Sequence, residues 1–274
     1  MLRIIYTIAL CFWVLSSYAW NALGHKVVAQ IAFDNLSPNA KVMCHKYLRS
    51  RFHNSPNSSF VASATWMDQI RRKQVYWYDG MHYIDIPFSN DQSNLPSIES
   101  TNAVWAIKNA TVVFTSKKTN FFDKQLALRM LIHIIGDIHQ PLHSITKVSA
   151  QLPKGDLGGN LFLLGKNSVG INLHQYWDNG AGFFLGRNDE KHVKDMAQEL
   201  EQKWPCALIT TETKPEKWAE MSYQLAVKKV YQLNFKDIPS KKYQANSQIL
   251  VQKQAVYAGC RLAALLNKIA KSRS

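Results

Sequence analysis

The 274-residue chain is poor in cysteine, acidic side chains, glycine and proline, and each shortage excludes something. Its four cysteines, Cys11, Cys44, Cys206 and Cys260, lie too far apart for a zinc knuckle, so any metal has to be held by histidine and carboxylate. Twelve glycines and nine prolines are too few for a collagen-like or low-complexity chain, and 46% apolar residues exclude a disordered one. Beyond the first 20 residues no apolar run is long enough to span a bilayer. Asp and Glu number 19 against 33 Lys and Arg, which leaves a formal charge of +14 and a surface that attracts polyanions such as nucleic acid or acidic headgroups. The length admits one large domain or two small ones, and with neither an internal repeat nor a dividing linker the chain reads as one.

What is present begins with Arg3, an apolar run from Ile4 to Leu15, and the segment Ser16, Ser17, Tyr18 and Ala19. This is the pattern of a secretory signal peptide over residues 1–19, cut before Trp20. A membrane anchor is the competing reading, but the run falls short of the ~20 residues a span requires. Cleavage would leave residues 20–274, formal charge +13, as a secreted or periplasmic protein with Trp20 at its amino end and no transmembrane segment. That compartment permits disulfides, and Cys206–Cys260 is the expected pair.

Apolar residues recur at helical spacing over Leu23–Leu36, Asn39–Phe52, Phe60–Arg72, Asn102–Phe114, Asp123–Gln140, Leu173–Phe184, Lys191–Trp204, Lys217–Leu233 and Ser247–Ile269. The expected architecture is a single all-α domain. An alternating stretch from Asn160 to Asn172, turning near Lys166 and Asn167, predicts one short β-hairpin.

Several of the nine histidines cluster. His133 and Asp137 stand four apart in an otherwise apolar helical stretch, and Pro141 ends that helix so that His143 can fold back toward it. His174 and Asp178 repeat the spacing. Either pair alone is ordinarily a hydrogen bond or ion pair on a helix face. An unpaired carboxylate at Asp137 would be costly to bury, and a cation removes that cost; imidazole with carboxylate suits zinc. Asp68 and His82 stand upstream, each weak alone. The freed amine and the carbonyl oxygen of Trp20 could chelate a metal, with His25 five residues on.

Trp20 to His25, Trp66-x-Asp68, His82-Tyr83-x-Asp85, the run His133 to His143, Gly155-Asp156-Leu157-Gly158-Gly159-Asn160, and His174 to Asp178 together resemble the trinuclear-zinc, single-strand-specific nucleases of the mung-bean type, the type I nucleases. Those enzymes share an all-α fold with bacterial zinc phospholipase C. The motifs appear in the family's order up to Asp178, and none is evident beyond it. The resemblance implies three zinc ions per chain: one held by Asp68, His82, His133 and Asp137; a close neighbour held by Trp20, His25 and a bridging Asp137; and a third held by His143, His174 and Asp178. His139 falls outside this set, as a packed or supporting residue.

The resemblance further implies hydrolysis of single-stranded DNA and RNA, and of nucleotides, to 5′-phosphate products, with no obligate protein partner. Asp68 would orient the attacking water. Arg71 and Asn160 would contact phosphate, although Arg71 also reads as a solvated helix residue. Tyr83 would stack on a base and Asp85 accept hydrogen bonds from its edge, although Tyr83 also reads as ordinary core. Two rivals remain at this stage: a zinc phospholipase C on the same scaffold, and a basic secreted nucleic-acid-binding protein without catalysis. An Asp at 178, where the phospholipases place Glu, favours nuclease.

Overall fold

In the computed structural model, residues 20–48, 60–209 and 212–272 are described; the signal peptide expected over residues 1–19 lies outside them. Helix starts follow local capping chemistry. Asn21 accepts from the backbone N–H groups of Leu23 and Gly24 to open α1 (Ala22–Asp34). After α2 (Pro38–Leu48), the stretch expected as one helix over Phe60–Arg72 is two, α3 (Phe60–Ser63) and α4 (Trp66–Arg72). The break between them leaves the Ala64 carbonyl outside any helical ladder, where it accepts from His133.

Asn102 caps α5 (Ala103–Thr115) and Asn120 caps α6 (Phe121–Asp137), the 17-residue helix on which the site is built. Its end buries Leu131 through Asp137 on every side. Pro141 opens a 3-10 turn over Pro141–Ser144, and Asn172 caps the short α7 (Leu173–Asp178). α8 (Glu190–Lys203), α9 (Pro215–Leu225) and α10 (Lys241–Lys271) complete the helices. α9 runs into a π-helical turn over Ala226–Val230, inside the stretch expected as a single helix to Leu233.

The expected hairpin over Asn160–Asn172 is a loop with one antiparallel bridge, Leu163 to Asn172. The Asn167 side chain closes its turn by bonding the carbonyls of Gly165 and Gly170 and the N–H groups of Val169 and Gly170, which leaves no room for a longer ladder. The two named strands are β1 (Pro87–Ser89) and β2 (Thr146–Val148), paired in parallel with Pro87 opposite Thr146.

One apolar cluster joins α2, α5, α6 and the end of α10; a second joins α1, α7, α8 and the middle of α10. α1 and α6 meet between them. Cys206 and Cys260 are bridged as expected, tying the turn after α8 to α10, and Cys44 is buried outside this bridge. No helix among the described residues is long and apolar enough to cross a membrane.

Candidate metal centre

The last two turns of α6 carry His133 and Asp137 on one face, both fully buried. Three imidazoles converge on the Asp137 carboxylate from separate elements. His25 Nε2, from α1, lies 3.3 Å from Oδ1, while His82 Nδ1 and His133 Nε2 lie 2.9 and 3.3 Å from Oδ2. The two carboxylate oxygens therefore face two different sets of nitrogens. Asp68, on α4, brings Oδ1 to 3.7 Å from His133 Nε2. His25 reaches this place because Gly136 has no side chain: a Cβ there would stand 3.1 Å from His25 Nδ1. Trp20 is anchored alongside, its indole N–H donating to the Gly136 carbonyl at 3.0 Å and its ring packed edge-on to Phe184.

A second convergence lies next door. His143, on the turn begun by Pro141, places Nε2 3.1 Å from His174 Nε2, and His174 Nε2 is 3.5 Å from Asp178 Oδ2. Gln140 Nε2 donates to Asp178 Oδ1 at 2.6 Å, and its Oε1 accepts from Leu142 N.

Backbone carbonyls fix the tautomers. His133, His143 and His174 each direct Nδ1 at a carbonyl, of Ala64, His82 and Gly158 respectively, at 2.6–2.8 Å. A carbonyl can only accept, so Nδ1 carries the proton and Nε2 presents a lone pair to the interior. Lone pairs of His143 and His174 thus point at each other beside a carboxylate, and the inward Nε2 of His133 lies 3.0 Å from His82 Nδ1, which is itself 2.9 Å from Asp137 Oδ2. Two lone pairs at such distances repel unless a cation lies between them. Buried His25 Nε2, His82 Nε2, Asp68 Oδ1 and Asp137 Oδ1 also have no hydrogen-bond partner among the described residues, and such orphaned groups are costly without a ligand. The donor set, nitrogen with carboxylate oxygen, fits zinc.

The charges agree. Burial and the nearby His133 hold His25 well below its ordinary value. Burial pushes Asp137 up, yet His133 and His82 outweigh it and keep the carboxyl well below the usual range. Burial together with Asp68 and Asp137 pushes Asp178 far up despite the Gln140 hydrogen bond. Among the described residues three groups can hold a metal: His25, His133 and Asp137; Asp68, His82 and His133; and His143, His174 and Asp178. Every His and Asp expected as a ligand falls into one of them.

The remaining expected residues lie outside these groups. Arg71, one turn after Asp68, pairs with Asp79 at 3.2 Å. Asn160 donates to the Leu157 carbonyl within the Gly155–Asn160 loop. Tyr83 and Asp85 are half-buried on the segment between His82 and β1. Burial, with the Asp156 carboxylate, pushes Asp85 up to about 7. A cleft of about 390 Å³, lined by Lys26, Asp68, Arg72, Gln175 and Asp178, opens onto the ligands.

Three residues with no motif to mark them clamp the turn after Asp137. Ser222 Oγ donates to the Ile138 carbonyl at 2.6 Å, Gln254 Nε2 to the His139 carbonyl at 2.9 Å, and Arg261 Nη1 to His139 Nε2 at 2.7 Å. His139 is accordingly a supporting residue; burial and the Arg261 charge hold it neutral, down at about 3. The one hint in the sequence is that Arg261 is a charge inside an apolar helical stretch.

A helical frame with converging His/Asp groups around a shared aspartate defines a metal-dependent hydrolase of the helical phospholipase C and nuclease type. Comparison narrows the class: a family model described as S1/P1 Nuclease matches residues 20–271, and the chain belongs to that zinc-dependent family. It is similar to Endonuclease 3 of Arabidopsis thaliana, 26% identical over 91% of this chain and 88% of the relative. It is also similar to Nuclease P1 of Penicillium citrinum, 31% identical over 58% of this chain and 57% of the relative, and to Nuclease S1 of Aspergillus oryzae, 28% identical over 59% and 54%. The protein is accordingly a phosphodiester hydrolase acting on nucleic acid.

Proposed function

We propose that the chain is a secreted, single-strand-specific endonuclease that binds three zinc ions and cuts DNA and RNA to 5′-phosphate products. The observation that carries this reading is the pairing of the inward His143 and His174 lone pairs beside buried Asp178, with both oxygens of Asp137 shared between nitrogen sets. Asp68, His82, His133 and Asp137 would hold one ion. Trp20, His25 and Asp137 would hold its neighbour. His143, His174 and Asp178 would hold the third. When bound, zinc lowers the pKa of water and offsets charge on the leaving oxygen.

The chain's own groups do the rest. Asp68, which lines the cleft, accepts from the attacking water and keeps it in line with phosphorus. Arg71 exchanges its partner Asp79 for a phosphate oxygen, and Asn160 contacts the phosphate from the opposite loop. Tyr83 stacks on the base while Asp85 accepts from its edge, an arrangement open to an unpaired strand and obstructed in a duplex. Residues 1–19 serve as the signal peptide, removed before Trp20, and residues 20–274 form the nuclease domain. The basic surface draws in the polyanion, so activity falls as salt rises.

The test is metal content per chain measured beside hydrolysis of single-stranded DNA, duplex DNA, RNA and phosphatidylcholine. Three zinc ions and selective cutting of single strands are expected. Hydrolysis of the lipid in preference to nucleic acid would overturn the substrate, and a metal-free active protein would overturn the centre.

A further inference from the structure

We propose that Tyr231, acting through the buried carboxylate of Asp156, is a positioning residue for recognition of the substrate base. The inference rests on the reading of Tyr83 and Asp85 as the base-binding residues. Tyr231 lies well beyond the last motif of the chain and is none of the expected ligands.

Asp156 gathers donors from three separate segments. Its Oδ1 accepts from Lys147 N of β2 at 2.9 Å, from Gly159 N of its own loop at 3.0 Å and from the Tyr231 hydroxyl at 3.0 Å, while Oδ2 accepts from the same hydroxyl at 2.9 Å. β2 in turn supports the base-binding segment. Thr146 N donates to the Ile86 carbonyl at 3.0 Å, one residue past Asp85, and the parallel pairing with β1 continues from there. A carboxylate that fixes β2 therefore fixes β1 and, through Ile86, the segment before it on which Tyr83 and Asp85 are carried.

Tyr231 closes the arrangement from the far side. Its ring packs edge-on against Phe88 of β1 at 5.0 Å and against Phe162 at 5.9 Å, and Lys147 Nζ lies 5.8 Å from its centroid. The π-helical turn sets its direction: Tyr231 N donates to the Ala226 carbonyl, five residues back, so the residue leaves the helix one position out of α-helical register. π turns of this kind recur at functional sites. The ring alone could pack as phenylalanine. The hydroxyl is needed because Asp156 is buried, and a buried carboxylate without strong donors either protonates or shifts.

The experiment compares the zinc-loaded wild type with Tyr231→Phe, which keeps the ring and removes the hydroxyl. Both are assayed on a short single-stranded oligonucleotide and on bis(4-nitrophenyl) phosphate, a phosphodiester with no base. The expected result is a KM for the oligonucleotide raised about five- to tenfold, the scale of one ordinary hydrogen bond, with kcat within about twofold. Hydrolysis of the base-free diester and zinc per chain stay at wild-type values. Equal loss on both substrates, loss of zinc, or no change at all would overturn the proposal, since a purely structural role moves both substrates together.

Asp85→Asn separates this proposal from the reading beneath it. If Asp85→Asn leaves the oligonucleotide KM unchanged, the base-binding reading falls and this inference falls with it. If Asp85→Asn raises KM and Tyr231→Phe does not, the inference alone fails. In the double variant, Tyr231→Phe should add less to Asp85→Asn than its effect alone, the remainder passing through Tyr83; a full additional effect would show that Tyr231 acts by another route.

Discussion

Asp137→Asn tests the centre most directly, because it removes one charge and almost no volume from the place where three imidazoles meet. The carboxylate oxygens lie 2.9–3.3 Å from the nitrogens of His25, His82 and His133. At such separations a unit charge acts on another through an effective dielectric of ~20 with about 5 kcal/mol, and on a dication with about twice that. If solvent and neighbouring groups recover all but about 2.5 kcal/mol, the loss is still near a hundredfold in metal affinity. The assay is zinc per chain after exhaustive dialysis, together with initial rates on single-stranded DNA. The variant should retain only metal at the His143, His174 and Asp178 group, and its rate should fall at least a hundredfold. Its thermal unfolding in chelator should also come at a lower temperature than that of the wild type, since the amide leaves His82 and His133 without the carboxylate that pairs with them. Wild-type zinc content with wild-type activity in Asp137→Asn would refute the reasoning.

Four further outcomes are expected. Asp85 sits up at about 7 through burial and the Asp156 charge, so it ionises as pH rises through that region; oligonucleotide KM should fall over the same interval, and the limb should vanish in Asp85→Asn and with a base-free diester. Gly158→Ala should empty the His143, His174 and Asp178 group, read as one fewer zinc per chain, because at φ +61° its Cβ would meet the Leu142 carbonyl at 2.5 Å and His174 Nδ1 at 3.2 Å. Replacing Cys206 and Cys260 by serine opens a loop of 54 residues and should cost about 4 kcal/mol, seen as a lower Tm and denaturant midpoint. A form carrying one extra residue before Trp20 should lose or weaken one metal with its circular dichroism unchanged, as metal titration would show.

The ligands were legible where spacing alone decides position. His133 with Asp137 and His174 with Asp178 are one helical turn apart, and the structure keeps each pair on one face. Asp68 and His82 became legible only through the set of motifs in order, because their approach to His133 depends on tertiary packing. Other features left no mark. β1 and β2 have three residues each, too few for a period to show, and they pair across the 56 residues between them. The Asn160–Asn172 stretch alternates like a hairpin, yet the Asn167 side chain satisfies its backbone locally and stops the ladder. Ser222, Gln254 and Tyr231 are single polar residues whose partners lie 75 or more positions away, a relation no local pattern encodes.

The clamp on the turn after Asp137 bears on how small a working version of this enzyme could be. A fragment stopping at Asp178 would contain every proposed coordinating group, yet Ser222, Gln254 and Arg261, which grip Ile138 and His139, would be gone with it. The span devoid of recognisable motifs is thus a brace rather than an appendage. Shortening the protein from its carboxyl end should cost it the metals before it reaches any residue that touches them.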